Sequence, residues 1–169
     1  MHRYIYNYQG EALPDSRFHR PATIIKDYGK IPFVADIEDL TKRNNTFRTA
    51  VWTGNFLQMT LMSIGVGEDI GWEMHPDVDQ FIRIEQGRGV IAMGKARGAV
   101  DFQENVEDDD AIIIPAGMWH NLTNTGREPL KLYSIYAPPN HPFGTVHRTK
   151  SDALTEHDRY SLWKWNNAK

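Results

Sequence analysis

Glu73 and His75 stand two residues apart in the stretch GEDIGWEMHPDVDQFIRIEQG, residues 67–87. In extended backbone successive side chains alternate faces, so a carboxylate and an imidazole at this spacing point the same way. Pro76, Asp77, Val78 and Asp79 are turn formers. Beyond them Gln80, Ile82 and Ile84 share one face of an alternating run, and Phe81, Arg83 and Glu85 share the other. The isoleucines mark the buried face, so Gln80 looks into the interior while Asp79 stays in the turn or points away. A second stretch, IIIPAGMWHNLTN over residues 112–124, supplies His120 with Leu122 as its inward partner. Glu73, His75, Gln80 and His120 are thus expected to meet in one interior cluster. Their oxygen and nitrogen donors suit a divalent transition ion, with zinc, iron, manganese and nickel not distinguished.

Glu73 is the most informative of the four. A carboxylate on the inner face of a strand is costly unless it is paired or bound to metal. The plainer reading places it at a rim, bridged to a residue such as Arg97. Gln80 is the weakest ligand, because a neutral amide binds less well than carboxylate or imidazole, and its alternative role is hydrogen bonding. Tyr133, Tyr136 and His141 are candidates for proton transfer only by their position on or just after the last strand, and no catalytic residue is assigned. His141 and His147 flank a Pro/Gly-rich loop and either reach the site's mouth or lie on the surface. Glu107 to Asp110 reads as a solvated acidic turn without the calcium-loop pattern. Trp72, Met74, Met118 and Trp119 read as wall packing.

The elements that must position these residues are short strands separated by turn signals. Runs at 48–52, 56–64, 70–75, 80–85, 89–93, 99–103, 111–114, 119–123 and 130–136 fit strands. Many short strands without intervening helices imply an all-β antiparallel sandwich or barrel. Residues 37–40, after Asp36, fit one helical turn, and residues 42–45 a loop. After residue 136 the prolines at 138, 139 and 142 must leave the sheet. Residues 151–167 fit a helix with Ser151 as its N-cap. The expected organisation is an N-terminal arm and loop over 1–45, a barrel over 46–150 and a helical tail over 151–169. Tyr4, Ile5, Tyr6 and Tyr8 make the arm apolar enough to pack on the barrel or on a second subunit.

The two stretches resemble the paired motifs of the cupin superfamily, G-x5-H-x-H-x3-4-E-x6-G and G-x5-P-x-G-x2-H-x3-N. Gly67, Glu73, His75, Gln80 and Gly87 keep the spacing of the first, with Glu73 at its first His and Gln80 at its Glu. Pro115, Gly117, His120 and Asn124 keep the second, with Asp109 at its leading glycine. The wider run from Asn45 to Lys150 is similar to small single-domain bacterial cupins of the mannose-6-phosphate isomerase-like group. The resemblance implies a double-stranded β-helix, or jelly-roll, barrel with an extended N-terminal arm and a short C-terminal helix. It also implies a homodimer built through edge strands and terminal arms. Two histidines and a carboxylate form the donor set of non-haem iron oxygenases. With glutamine added, the set resembles that of zinc phosphomannose isomerases, although those enzymes are much longer and carry a sugar-phosphate lysine and arginine cluster without an obvious counterpart here.

Composition narrows the function classes. The 169 residues include no cysteine, which removes disulfides, thiolate metal sites and cysteine nucleophiles together. A formal net charge of −3 with interspersed signs gives no reason to expect nucleic acid or an anionic membrane as partner. No apolar run of signal-peptide or membrane-spanning length occurs, so a cytoplasmic location is the expectation. The functional expectation is a metal-binding cupin, acting as a metal-dependent isomerase, epimerase or dioxygenase on a small oxygen-rich metabolite. The alternative is a non-catalytic cupin that binds a small sugar or acid.

Overall fold

The computed structural model describes residues 22–155. The elements are α1 (Ile37–Arg43), β1 (Arg48–Thr53), β2 (Gln58–Ile64), β3 (Asp79–Gln86), β4 (Arg88–Gly94), β5 (Phe102–Glu107), β6 (Ala111–Ile114), β7 (Trp119–Asn124), β8 (Leu130–Ala137) and β9 (Val146–His147). They form a six-stranded sheet in the order β6-β3-β8-β2-β1-β9 and a three-stranded sheet in the order β5-β4-β7. All pairings are antiparallel. Helical turns over residues 150–155 follow the last strand. The apolar arm residues Tyr4 to Tyr8 and most of the expected C-terminal helix lie outside the described residues.

The inner face of the large sheet changes character along its strands. Gln58 and Thr60 of β2 pair with Tyr136 and Ser134 of β8, and Gln80 of β3 pairs with Tyr136 from the other side. Further along the same strands Met62 and Ile64 pair with Leu132 and Leu130. All of these residues are buried. The apolar half packs with Ile84, Ile91, Ile112 and Leu122 into the core between the sheets. Because the inward parity is shared, the polar half occupies the other end of the same interior. Burial of polar groups without partners is unfavourable, so this end requires internal pairing or a ligand.

The outer face of the large sheet is covered as well. Leu40 of α1 packs with Val51 and Leu61, and Phe33, Ile37, Met59 and Tyr133 surround them. Asp36 caps α1 by accepting the Asp39 N–H at 3.0 Å. Glu38–Lys42 and Asp39–Arg43 pairs at i,i+4 carry the helix through Arg43, past the point where residue types indicated a loop. At its C-terminal end the buried Lys131 ammonium donates to the Asn44 carbonyl and to Asn45 Oδ1. A cation at this end complements the helix dipole.

Other local features differ from expectation. The segment 70–75 is no regular strand: it meets β7 only through isolated bridges, Asp69 with Thr123 and Glu73 with His120, and Gly71 at φ 85° lies between them. The strand expected at 99–103 begins at Phe102, because Asp101 closes a turn by accepting the Lys95 N–H. The two-residue β9, opposite Arg48 and Thr49, is too short to show a period. The C-terminal helical turns start one turn signal earlier than Ser151: Thr149 Oγ1 accepts the Asp152 N–H while Asp152 accepts the Thr149 N–H.

Asp69 joins that C-terminal turn to the small sheet, accepting from Asn121 Nδ2 at 2.9 Å and pairing with Lys150. Burial pushes its carboxyl up, but Lys150 and Asn121 outweigh this and hold it below the ordinary carboxylate value. A folded-state value below the unfolded one stabilises above the ordinary value, and that contribution disappears as pH falls through the folded value. Asp69→Asn is therefore expected to be less stable than wild type at neutral pH, with the gap closing on acidification. Urea unfolding across the acid range measures it; a gap that stays constant contradicts the assignment.

Candidate metal centre

The bridge between Glu73 and His120 builds the site. Glu73 N–H donates to the His120 carbonyl at 3.0 Å, and His120 N–H returns to the Glu73 carbonyl at 2.9 Å. Directly opposed residues in such a pair put their side chains on the same face. The His120 imidazole accordingly reaches the Glu73 carboxylate, Nε2 to Oε1 at 3.4 Å. His75, one alternation further on, brings Nε2 to the same oxygen at 3.7 Å.

The turn of the second motif is tied to the first. Gly117 N–H donates to the His75 carbonyl at 2.7 Å, and Ala116 N–H donates to Asp79 Oδ1 at 2.9 Å. Asp79 opens β3 and points away from the interior, as strand parity implied, and its carboxylate supports the second motif's turn. Gly117 adopts φ 79° at the third position of the 115–118 turn, which Met118 N–H closes on the Pro115 carbonyl. Asp109 also lies at positive φ, 74°, at the position where the motif carries glycine. Aspartate tolerates that region better than most side chains do. Asn124 is structural: its amide donates to the Ile64 and Glu128 carbonyls and accepts from Gly126.

Electrostatics and orphaned atoms converge on one spot. Burial pushes the Glu73 carboxyl up, but His120, His75 and Arg48 outweigh it and hold the group well below its ordinary value, so it is ionised. The His120 Nδ1 lies 3.0 Å from the Met118 carbonyl, which can only accept, so Nδ1 carries a proton and Nε2 is the atom turned toward Glu73. Glu73 Oε1, His75 Nε2 and His120 Nε2 are each buried without a hydrogen-bond partner, and these three ligand atoms lie within 4.8 Å of one another. An ion with ligands at about 2.0–2.2 Å separates adjacent donors by about 3.0–3.6 Å. The 3.4 Å Glu73–His120 separation falls in that range and the 3.7 Å Glu73–His75 separation just outside it, so a small inward shift of His75 would let the triad hold a divalent ion. The Glu73 side chain remains 20% exposed, against 0% for His120, so the carboxylate edge is the open side.

The fourth expected ligand lies on the same inner wall. The Gln80 amide donates to Ser134 Oγ and to the Tyr136 hydroxyl, both at 3.3 Å, which leaves Oε1 buried and unpartnered. The Tyr136 ring stands 5.8 Å from that of His75 and 5.1 Å from that of His141. Burial keeps the Tyr136 hydroxyl above its ordinary value and so protonated. It also drives the His141 imidazole well below its ordinary value, with Arg48 adding to the effect, so His141 is neutral. His147 is buried on β9 with its ring 6.3 Å from that of His141. Tyr133, by contrast, packs on the outer face with its ring 6.0 Å from that of Phe81, outside the site.

Arg48 is the residue that the sequence reading lacked. It approaches Glu73 Oε2 at 3.8 Å and takes the place proposed for Arg97, which is exposed. Its strand, RTAVWT, shows no polar–apolar alternation because both faces of the sheet are covered. The one available signal was parity with the inward Ala50.

Comparison with known proteins agrees with this architecture. A Cupin domain family model matches residues 60–136, a span that contains Glu73, His75, Gln80 and His120. An uncharacterized Bacillus subtilis protein, YrkC, is 66% identical over 135 residues, covering 80% of this chain and 73% of that protein. A crystal structure of a Bacillus halodurans protein shares 62% identity and a TM-score of 0.76, covering 78% of this chain and 99% of the other. A Klebsiella pneumoniae protein with a double-stranded β-helix domain shares the fold at 19% identity and TM-score 0.54, covering 70% and 100% of the two chains. Among the described residues no helix is long and apolar enough to cross a membrane. With both motif segments folded into this barrel and relatives matched over most of their length, the chain belongs to the cupin superfamily.

Proposed function

We propose that this cupin binds one divalent transition ion through Glu73, His75 and His120, with Gln80 Oε1 as a fourth donor, and acts there on a small oxygen-rich metabolite. The observation that carries the reading is the set of four buried donor atoms left without partners in one polar end of the barrel. Leaving such atoms unpaired is unfavourable, and a shared cation satisfies them together. A bound divalent ion would supply Lewis acidity toward a substrate oxygen.

The remaining chemistry belongs to the chain. Gln80 holds the Tyr136 oxygen by donating to it, and the Ser134 and Thr60 hydroxyls stand beside the same phenol. His141, neutral and with Nε2 unpartnered, offers a proton acceptor or donor on the same wall. The apolar half of the interior excludes water behind the site. Isomerisation and dioxygenation both use such an open-sided donor set, and a redox-inert ion such as zinc supports only the first.

Plasma mass spectrometry of protein equilibrated separately with zinc, iron, manganese and nickel is expected to find one of them bound stoichiometrically. His120→Ala should weaken it by more than about tenfold, Gln80→Ala by less, and Gln80→Glu not at all. Absence of binding by all four ions overturns the metal reading. Assay of sugar phosphates, β-diketones and phenolics under air is expected to find turnover that His120→Ala abolishes. Ligand binding that persists with no turnover of any class assigns the pocket to binding alone.

A further inference from the structure

Arg48 is buried inside the barrel beside Glu73. Its side chain is 5% exposed, and it pairs across the ladders with Met62 on β2 and His147 on β9. A guanidinium stays charged at any accessible pH and carries five N–H donors in a planar fork. Its ion pair with Glu73 spans 3.8 Å, too long for a hydrogen bond, and its Nε is buried without a hydrogen-bond partner. The Phe47 ring lies 5.6 Å from the guanidinium carbon.

Glu73 is an incomplete counter-ion for this group. Its Oε1 is directed at His75 and His120, so only Oε2 faces Arg48. With a dication held by the triad, one carboxylate stands against both the ion and the guanidinium. The interior is then net positive, and it is completed by an anion. A second nitrogen is available nearby: His141 Nε2 is buried and unpartnered, and its ring stands 6.3 Å from that of His147, the residue paired with Arg48 across β1 and β9.

Resting on the metal reading above, we propose that Arg48 and His141 form a carboxylate-binding subsite beside the triad. The substrate is then a small organic acid that places one oxygen at the ion and its carboxylate on the Arg48 fork. The planar bidentate geometry of guanidinium matches a carboxylate. A phosphate group, with more charge and more oxygens, needs more donors than one arginine and one neutral imidazole provide.

Titration calorimetry with malonate, its neutral dimethyl ester and inorganic phosphate tests this, run beside metal analysis of each protein. Metal-loaded wild type is expected to bind malonate and neither of the others. Arg48→Gln should keep its metal while losing malonate affinity by more than about tenfold. Arg48→Lys, which keeps the charge and loses the fork, should fall between the two, and His141→Gln should weaken malonate without releasing metal. Loss of metal in Arg48→Gln instead assigns Arg48 to supporting Glu73 and overturns the subsite. So does unchanged malonate binding in that variant, preference for phosphate, or failure of metal-loaded wild type to bind malonate. If wild type holds no metal yet binds malonate through Arg48, the metal reading fails while the subsite stands.

Discussion

An antiparallel bridge of two hydrogen bonds fixes Glu73 opposite His120, and the interior chemistry depends on that register. The two residues come from segments far apart in the chain, and nothing local would bring their side chains together. Shifting the register by one residue would send one of the two side chains to the opposite face. The surrounding contacts guard against this. Ile70 N–H donates to the Leu122 carbonyl, and Gly117 N–H to the His75 carbonyl, so the bridge is held at both ends. A short segment with only two isolated bridges thereby positions two of three donors as reliably as a full strand.

The same constraint explains the division of the interior. The inward side chains of β2, of β3 from Gln80 to Ile84, and of β8 are buried whether polar or not. The apolar ones cluster at one end and supply the stability of the barrel. The polar ones gather at the end where Glu73, His75 and His120 converge. Gln80 connects the two parts of that polar end, with its amide nitrogen satisfied by Ser134 and Tyr136 and its oxygen free.

Much of this was legible in the sequence. The alternation of Gln80, Ile82 and Ile84 reports a sheet with one face toward the core, and the two-residue spacing of Glu73 and His75 holds even where the strand is irregular. Side-chain parity survives a broken ladder because it is set by extended backbone, not by continuous pairing. Arg48 was not legible: α1 and its neighbours cover the outer face of β1, so apolar and polar residues occur on both sides and the period disappears. Glu85 shows the same effect, being buried on the outer face beside Arg83 although its neighbours in parity are half-exposed. His141 depends on where an irregular loop returns, which periodicity does not encode. Gln58 accepts from the Asn140 and His141 backbone N–H groups and donates to the His141 carbonyl, and these long-range bonds set that return.

The proposed site requires that Glu73, His75 and His120 share one ion. Anomalous scattering from a crystal of the purified protein, recorded on either side of a transition-metal absorption edge, addresses it most directly. A single strong peak is expected at bonding distance from Glu73 Oε1, His75 Nε2 and His120 Nε2. A map without a peak there, with both imidazoles hydrogen-bonded to the carboxylate or to water in its place, would contradict it.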